Sequence, residues 1–102
     1  MVKEVEPVEN QPIMIKKAVE YLQHRSTKKE EPFFLYFPLN LPHYPEQALV
    51  QHGELFDNLP EPRRAYARVM ATTDYNIGKV LNTLDEQKQN DNTIVVYASD
   101  NG

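Results

Sequence analysis

The last three residues, Asp100-Asn101-Gly102, put a carboxylate beside an amide oxygen just before a glycine. Both are hard oxygen donors suited to calcium or magnesium, and since such ions take six or more ligands, two oxygens make only part of a site. An Asx turn closing the preceding segment is the plainer alternative. His43 lies in Leu41-Pro42-His43-Tyr44-Pro45, where flanking prolines restrict the backbone on both sides and limit the directions open to the imidazole. A histidine held this way can donate a hydrogen bond to an anionic substrate or shuttle a proton. A loop histidine bonded to a carbonyl is the competing reading. His24 and His52 read as surface residues, with His24 where a cation suits a helix C-terminus. Asp74 reads as a helix-surface carboxylate paired with Lys79 or Arg68, and Tyr66, Met70 and Tyr75 read as packing. Arg63 and Arg64 stand near a helix start, where the dipole disfavours cations, so a loop or interface role is expected of them. The sequence holds no glycine-rich phosphate loop, paired-histidine helix motif or nucleophile elbow.

These side chains need elements to carry them. From Glu9 to His24 the residues Ile15, Ala18, Val19 and Leu22 recur at helical spacing, with Asn10 as a candidate cap and Pro12 in the first turn. A charged connector, Arg25 to Glu31, follows. Phe33-Phe34-Leu35-Tyr36-Phe37 is then an apolar run without alternation, which predicts a strand buried on both faces. Leu39 to Pro60 holds Pro42, Pro45, Gly53 and Pro60 and reads as a long loop, a feature that in small domains usually serves function. Val69, Thr73, Ile77, Val80 and Leu84 place one stripe along a helix from about Pro62 to Lys88, with Gly78 its expected weak point. Asn90-Asp91-Asn92 turns the chain into Thr93-Ile94-Val95-Val96-Tyr97-Ala98, a second unalternating run read as a buried strand. The expected class is therefore α/β: a right-handed βαβ unit of a helix-covered, mainly parallel sheet, preceded by a helix. Parallel strands end at one sheet edge, where ligands bind in such folds, and that edge would carry His43, Asp100 and Asn101.

The 102 residues include 11 Lys+Arg and 15 Asp+Glu for a net charge of −4, with 40% hydrophobic and 25% charged residues. That length suits one modest core and excludes two independent domains. The acidic balance leaves no basic footprint for a nucleic acid, because Lys28-Lys29 is cancelled by Glu30-Glu31. No apolar run approaches the ~20 residues that span a bilayer, and Met1 to Glu6 lacks the basic-then-apolar layout of a signal peptide. With no Cys at all, disulfides, thiolate metal sites and a cysteine nucleophile are excluded within these residues.

Four blocks in order resemble the sulfatase family of the alkaline-phosphatase-like superfamily. They are Pro32 to Phe37, Pro42-His43-Tyr44-Pro45, Tyr66 to Val69 with Asp74 to Leu81, and Asp91 to Gly102. The resemblance implies that Asp100 and Asn101 are metal ligands, usually for calcium, and that His43 contacts the sulfate ester near its leaving oxygen. It further implies a formylglycine, made from Cys or Ser, whose hydrated form attacks sulfur while metal and cationic groups stabilise the charge. The Cys/Ser-x-Pro-x-Arg motif that carries formylglycine is absent here. Absent too are the family's N-terminal Asp-Asp metal pair, the Lys and His between nucleophile and loop, and the Lys after Asp-Asn-Gly. Residues 1–102 are thus expected to be part of a sulfatase-type catalytic domain, inactive alone, acting in its parent on a sulfate-ester small molecule or glycan. The alternatives are a phosphonate or phosphodiester hydrolase of the same superfamily, and a non-catalytic α/β module binding a partner through Leu39 to Pro60. Asp-Asn-Gly, where some relatives place Asp-His-Gly, leans toward sulfate. Two strands needing cover on both faces, with two helices to cover them, further predict a loose or self-associating isolated chain.

Overall fold

A computed structural model of the chain describes residues 7–28, 30–43, 48, 52, 54 and 56–102; side chains are described from residue 13 onward, except that of residue 26. Two helices form its frame: α1, Pro7–Arg25, and α2, Arg63–Glu86. Short 3-10 turns occupy Ser26–Lys28 and Asn90–Asn92. Because α1 already begins at Pro7, Asn10 and Pro12 lie inside the helix, and Asn10 is not its cap. Tyr44, Pro45 and Gly53 lie outside the described residues.

Helix α1 buries Ile15, Ala18 and Leu22, spaced three and four apart, against α2. The facing stripe of α2 is unusually polar: Val69 and Leu84 share it with Thr72, Thr73, Asn76 and Thr83, all buried, whereas Ile77 and Val80 are half-buried. Buried hydroxyls need acceptors, and here the helix supplies them. Thr72, Thr73 and Thr83 donate to the carbonyls of Arg68, Val69 and Lys79, at 3.2, 3.0 and 2.8 Å. Gln89 Nε2 donates to the Leu22 carbonyl at 3.1 Å, tying the end of α1 to the chain beyond α2.

Helix α2 runs unbroken through Gly78, so the expected weak point does not bend it. Its first turn is closed by Glu61, whose carboxylate accepts from Ala65 N–H at 3.2 Å and from Arg64 Nε at 3.0 Å. At its end Lys88 N–H reaches the Asp85 carbonyl and Gln89 N–H the Leu84 carbonyl, both at 2.9 Å. That is a Schellman closure, and it places Lys88 at φ 55°, where glycine is the usual occupant.

The βαβ expectation is overturned: among the described residues there is no strand and no sheet. Residues 32–39 form neither helix nor strand and bury only alternate side chains. Phe33, Leu35 and Phe37 are half-buried, with Phe33 edge-on to Tyr21 at 5.9 Å, while Phe34 and Tyr36 are 87% and 78% exposed. The second run is more open still, with Ile94 93% and Val96 82% exposed. The physical reason lies in what such runs require. An unalternating apolar strand needs a neighbour on each edge and a layer on each face, and two helices packed on one another leave no layer over. The chain exposes 8109 Å², against about 5,900 Å² for a compact monomer of its mass. Its radius of gyration is 15.6 Å, where ~13 Å is usual at this length.

Candidate functional site

The loop between the two helices starts where Leu41, 4% exposed, anchors it to the core. The Asn40 carbonyl accepts the His43 N–H at 3.1 Å, and this turn lifts His43 to the surface. Its side chain is exposed. Further along, Asp57 pairs with Arg68 of α2. Arg68 is thus engaged by the loop, and not by Asp74 as expected; Lys79, the other expected partner, stands 4.6 Å from the Tyr75 ring centroid. Asp74 is exposed.

Asp100 and Asn101 end the second apolar run, both exposed. The turn there belongs to Ser99, whose Oγ accepts N–H from Asn101 at 3.4 Å and Gly102 at 3.0 Å. The Asp100 carboxylate and the Asn101 amide oxygen have no hydrogen-bond or ion-pair partner among the described residues. Two unengaged hard oxygens on adjacent residues suit part of a divalent cation's shell, and they fall well short of six ligands. Among the described residues no group of three or more His, Asp or Glu side chains could hold a metal ion. No sheet aligns the ends of the two apolar runs, so nothing in the ladder sense ties His43 to the Asp100–Asn101 pair.

Two other expectations, the packing of the α2 side chains and the exposure of His52, meet mixed outcomes. Of the three residues expected to pack, Met70 is half-buried and Tyr75, though 39% exposed, packs edge-on against the His52 ring with centroids 5.7 Å apart, whereas Tyr66 is 50% exposed. His52, expected at the surface, is 9% exposed and lies 2.7 Å through Nδ1 from Thr72 Oγ1. No spacing rule links residues twenty apart on a loop and a helix, which is why sequence reasoning passed over this pair. The nearest signal was a histidine in a proline-rich loop with a Thr-Thr step on the following helix. His24 lies in the last turn of α1, as expected, and the helix also takes in Arg25, which was expected in the connector. No helix is long and apolar enough to cross a membrane, among the described residues.

Comparison with known proteins supplies what the geometry lacks. An N-acetylgalactosamine-6-O-sulfatase of Bacteroides thetaiotaomicron is 37% identical over 81 residues, covering 72% of this chain and 14% of that protein. The uncharacterized sulfatase YdeN of Escherichia coli is 31% identical over 80 residues, covering 76% of this chain and 14% of that protein. An N-acetylgalactosamine-6-sulfatase of Canis lupus familiaris is 28% identical over 90 residues, covering 88% and 16%. The chain therefore spans only about one-seventh of the length of these relatives. No solved structure matches it. The family model for sulfatases matches residues 9–102, nearly the whole chain, and the chain belongs to the sulfatase family.

Proposed function

We propose that these residues supply the leaving-group side and part of the metal shell of a sulfuric ester hydrolase, with the nucleophile contributed from outside them. The observation that carries this reading is the family match over residues 9–102, a span that includes His43, Asp100 and Asn101. In it His43 donates a hydrogen bond to the ester oxygen that departs, lowering the cost of the negative charge that develops there. Asp100 and Asn101 lend oxygen ligands to a divalent cation, calcium by family resemblance, which when bound polarises the sulfate and orients the attacking group. Both side chains are exposed and have no hydrogen-bond or ion-pair partner among the described residues, which leaves their oxygens available as ligands. The absence of any Cys and of Cys/Ser-x-Pro-x-Arg leaves these residues without a group to attack sulfur.

Two of the relatives are named for the 6-sulfate of N-acetylgalactosamine, which makes that ester the first natural substrate to try beside 4-nitrophenyl sulfate. The full-length protein, supplied with calcium, is expected to release sulfate from one of them, and His43→Ala is expected to abolish most of that rate. The 102-residue chain alone is expected to release none. Turnover by the chain alone would refute the claim that its nucleophile lies elsewhere. Full-length protein that cleaves a phosphodiester and no sulfate ester would move the assignment to the neighbouring chemistry of the superfamily.

A further inference from the structure

Asn101 is the one asparagine of the chain that precedes a glycine. Asn58, Asn76 and Asn92, by contrast, precede Leu59, Ile77 and Thr93. The difference matters because an asparagine side chain is open to attack by the backbone nitrogen of the residue that follows it. A Cβ on that next residue crowds the approach, and glycine has none. Gly102 also sits at φ 71°, a conformation that other residues rarely adopt, and a Cβ built on it would meet no heavy atom within 4 Å. Among the described residues, no neighbour crowds this peptide group.

The carbon under attack is equally open. Asn101 is exposed, and its carboxamide has no hydrogen-bond partner among the described residues to hold it away from the backbone. It is the attacking nitrogen that is engaged. Gly102 N–H donates to Ser99 Oγ at 3.0 Å, closer than the 3.4 Å bond from Asn101 N–H to the same oxygen. An amide nitrogen attacks only after releasing its proton, and this one must also turn from Ser99 toward the Asn101 side chain. The Ser99 oxygen therefore stabilises the arrangement that does not react.

We propose that Asn101-Gly102 is a site of spontaneous deamidation and that Ser99 is its brake. In the first step Gly102 N loses its proton and bonds to the side-chain carbonyl carbon of Asn101. The side-chain nitrogen takes up a proton and leaves as ammonia, and a cyclic imide remains. Water then opens the imide. Entry at the former side-chain carbonyl gives aspartate with a normal backbone, whereas entry at the backbone carbonyl gives isoaspartate, whose main chain runs through the former side chain. The net change is one water in and one ammonia out, with no oxidant or reductant. Either product replaces a neutral amide by a carboxylate beside Asp100, which makes a chain already at −4 more acidic. The inference stands on this local chemistry and not on the sulfatase reaction, although under the proposed function it alters one of the two oxygen donors offered to the cation.

The test incubates the full-length protein at mildly alkaline pH, well below its melting temperature, in EDTA so that no cation holds the carboxamide. Wild type is compared with Ser99→Ala, which removes the acceptor, and Ser99→Thr, which keeps a hydroxyl. Ser99 is exposed, so neither change opens a core. Peptide mass spectrometry reads the mass gained when –NH2 becomes –OH, isoaspartyl methyltransferase labelling reads isoaspartate, and NMR reads exchange of the Gly102 amide. Wild type is expected to convert at Asn101 into both products while Asn58 and Asn92 stay intact. Ser99→Ala should convert about 2- to 10-fold faster, the worth of one hydrogen bond, and its Gly102 amide should exchange faster. Ser99→Thr should follow wild type. Asn101 left intact in both wild type and Ser99→Ala, over a time in which the denatured protein converts, would overturn the site. Equal rates in those two proteins, or a slower one without the hydroxyl, would overturn the brake. Conversion of Asn58 or Asn92 as fast as Asn101 would overturn the role given to the glycine. Full-length wild-type protein with no sulfatase activity would overturn the proposed function alone, since none of these readouts depends on turnover.

Discussion

Replacing Gly78 by Ala should stabilise α2, and the size of the effect follows from the surroundings of that one position. Gly78 lies near the middle of a 24-residue helix. A Cβ built there meets no heavy atom within 4 Å, and its φ is not in the left-handed region. With no clash and no special backbone conformation to lose, only the conformational terms remain. Glycine in a helix interior is less favourable than alanine by about 0.8–1 kcal/mol, because the unfolded glycine has more freedom to surrender. For a domain near this size that stabilisation raises the melting temperature by about 4–8 °C. Thermal and urea unfolding followed by circular dichroism at 222 nm would measure it, with Gly78→Val as a control expected to gain less because a β-branched side chain loses rotamer freedom in a helix. A loss of stability in the 102-residue chain would refute the reasoning, since it would mean that the space beside Gly78 is filled. The same substitution in the full-length protein then reports on what packs there: a gain in the short chain and a loss in the long one would show that another element covers this point of α2.

Lys88→Gly should add about 0.5–1 kcal/mol by relieving the positive φ at the Schellman closure, read from the same unfolding curves. On the proposed function, Asp100→Ala in the full-length protein should weaken calcium binding at least tenfold by calorimetry, since it deletes a charged oxygen donor; wild-type affinity would refute Asp100 as a ligand. The 102-residue chain should self-associate as its concentration rises, because Phe34, Tyr36, Ile94 and Val96 stand exposed along two apolar segments that form no strand. Sedimentation should show Ile94→Lys and Phe34→Lys shifting it toward monomer; a wild-type chain monomeric throughout would contradict the exposure argument.

Local signals carried much of the reading. The helical period of Ile15, Ala18 and Leu22 marked the buried face of α1, and the turn at Asn90-Asp91-Asn92 appears where its residue types put it. Ordered blocks around His43 and Asp100-Asn101-Gly102 were sufficient to reach the family. What the same reasoning could not reach depends on neighbours. Phe33 to Phe37 and Thr93 to Ala98 have the composition of strands buried on both faces, and they remain unpaired here because a ladder requires partner strands and covering layers that these residues do not contain. The helix start at Pro7, ahead of the Asn10 cap, shows a boundary set by more than one local preference.

Hydrophobic period and residue order are properties of the chain itself, so the sequence alone determined where both helices lie and to which family the chain belongs. Pairing between distant residues is decided by packing. Only the tertiary structure turned Arg68 toward Asp57, buried His52 against Thr72 and left the two apolar runs open to solvent. Each of those outcomes depends on which surfaces meet, and residues far apart in the chain carry no local mark of the contact that folding brings about.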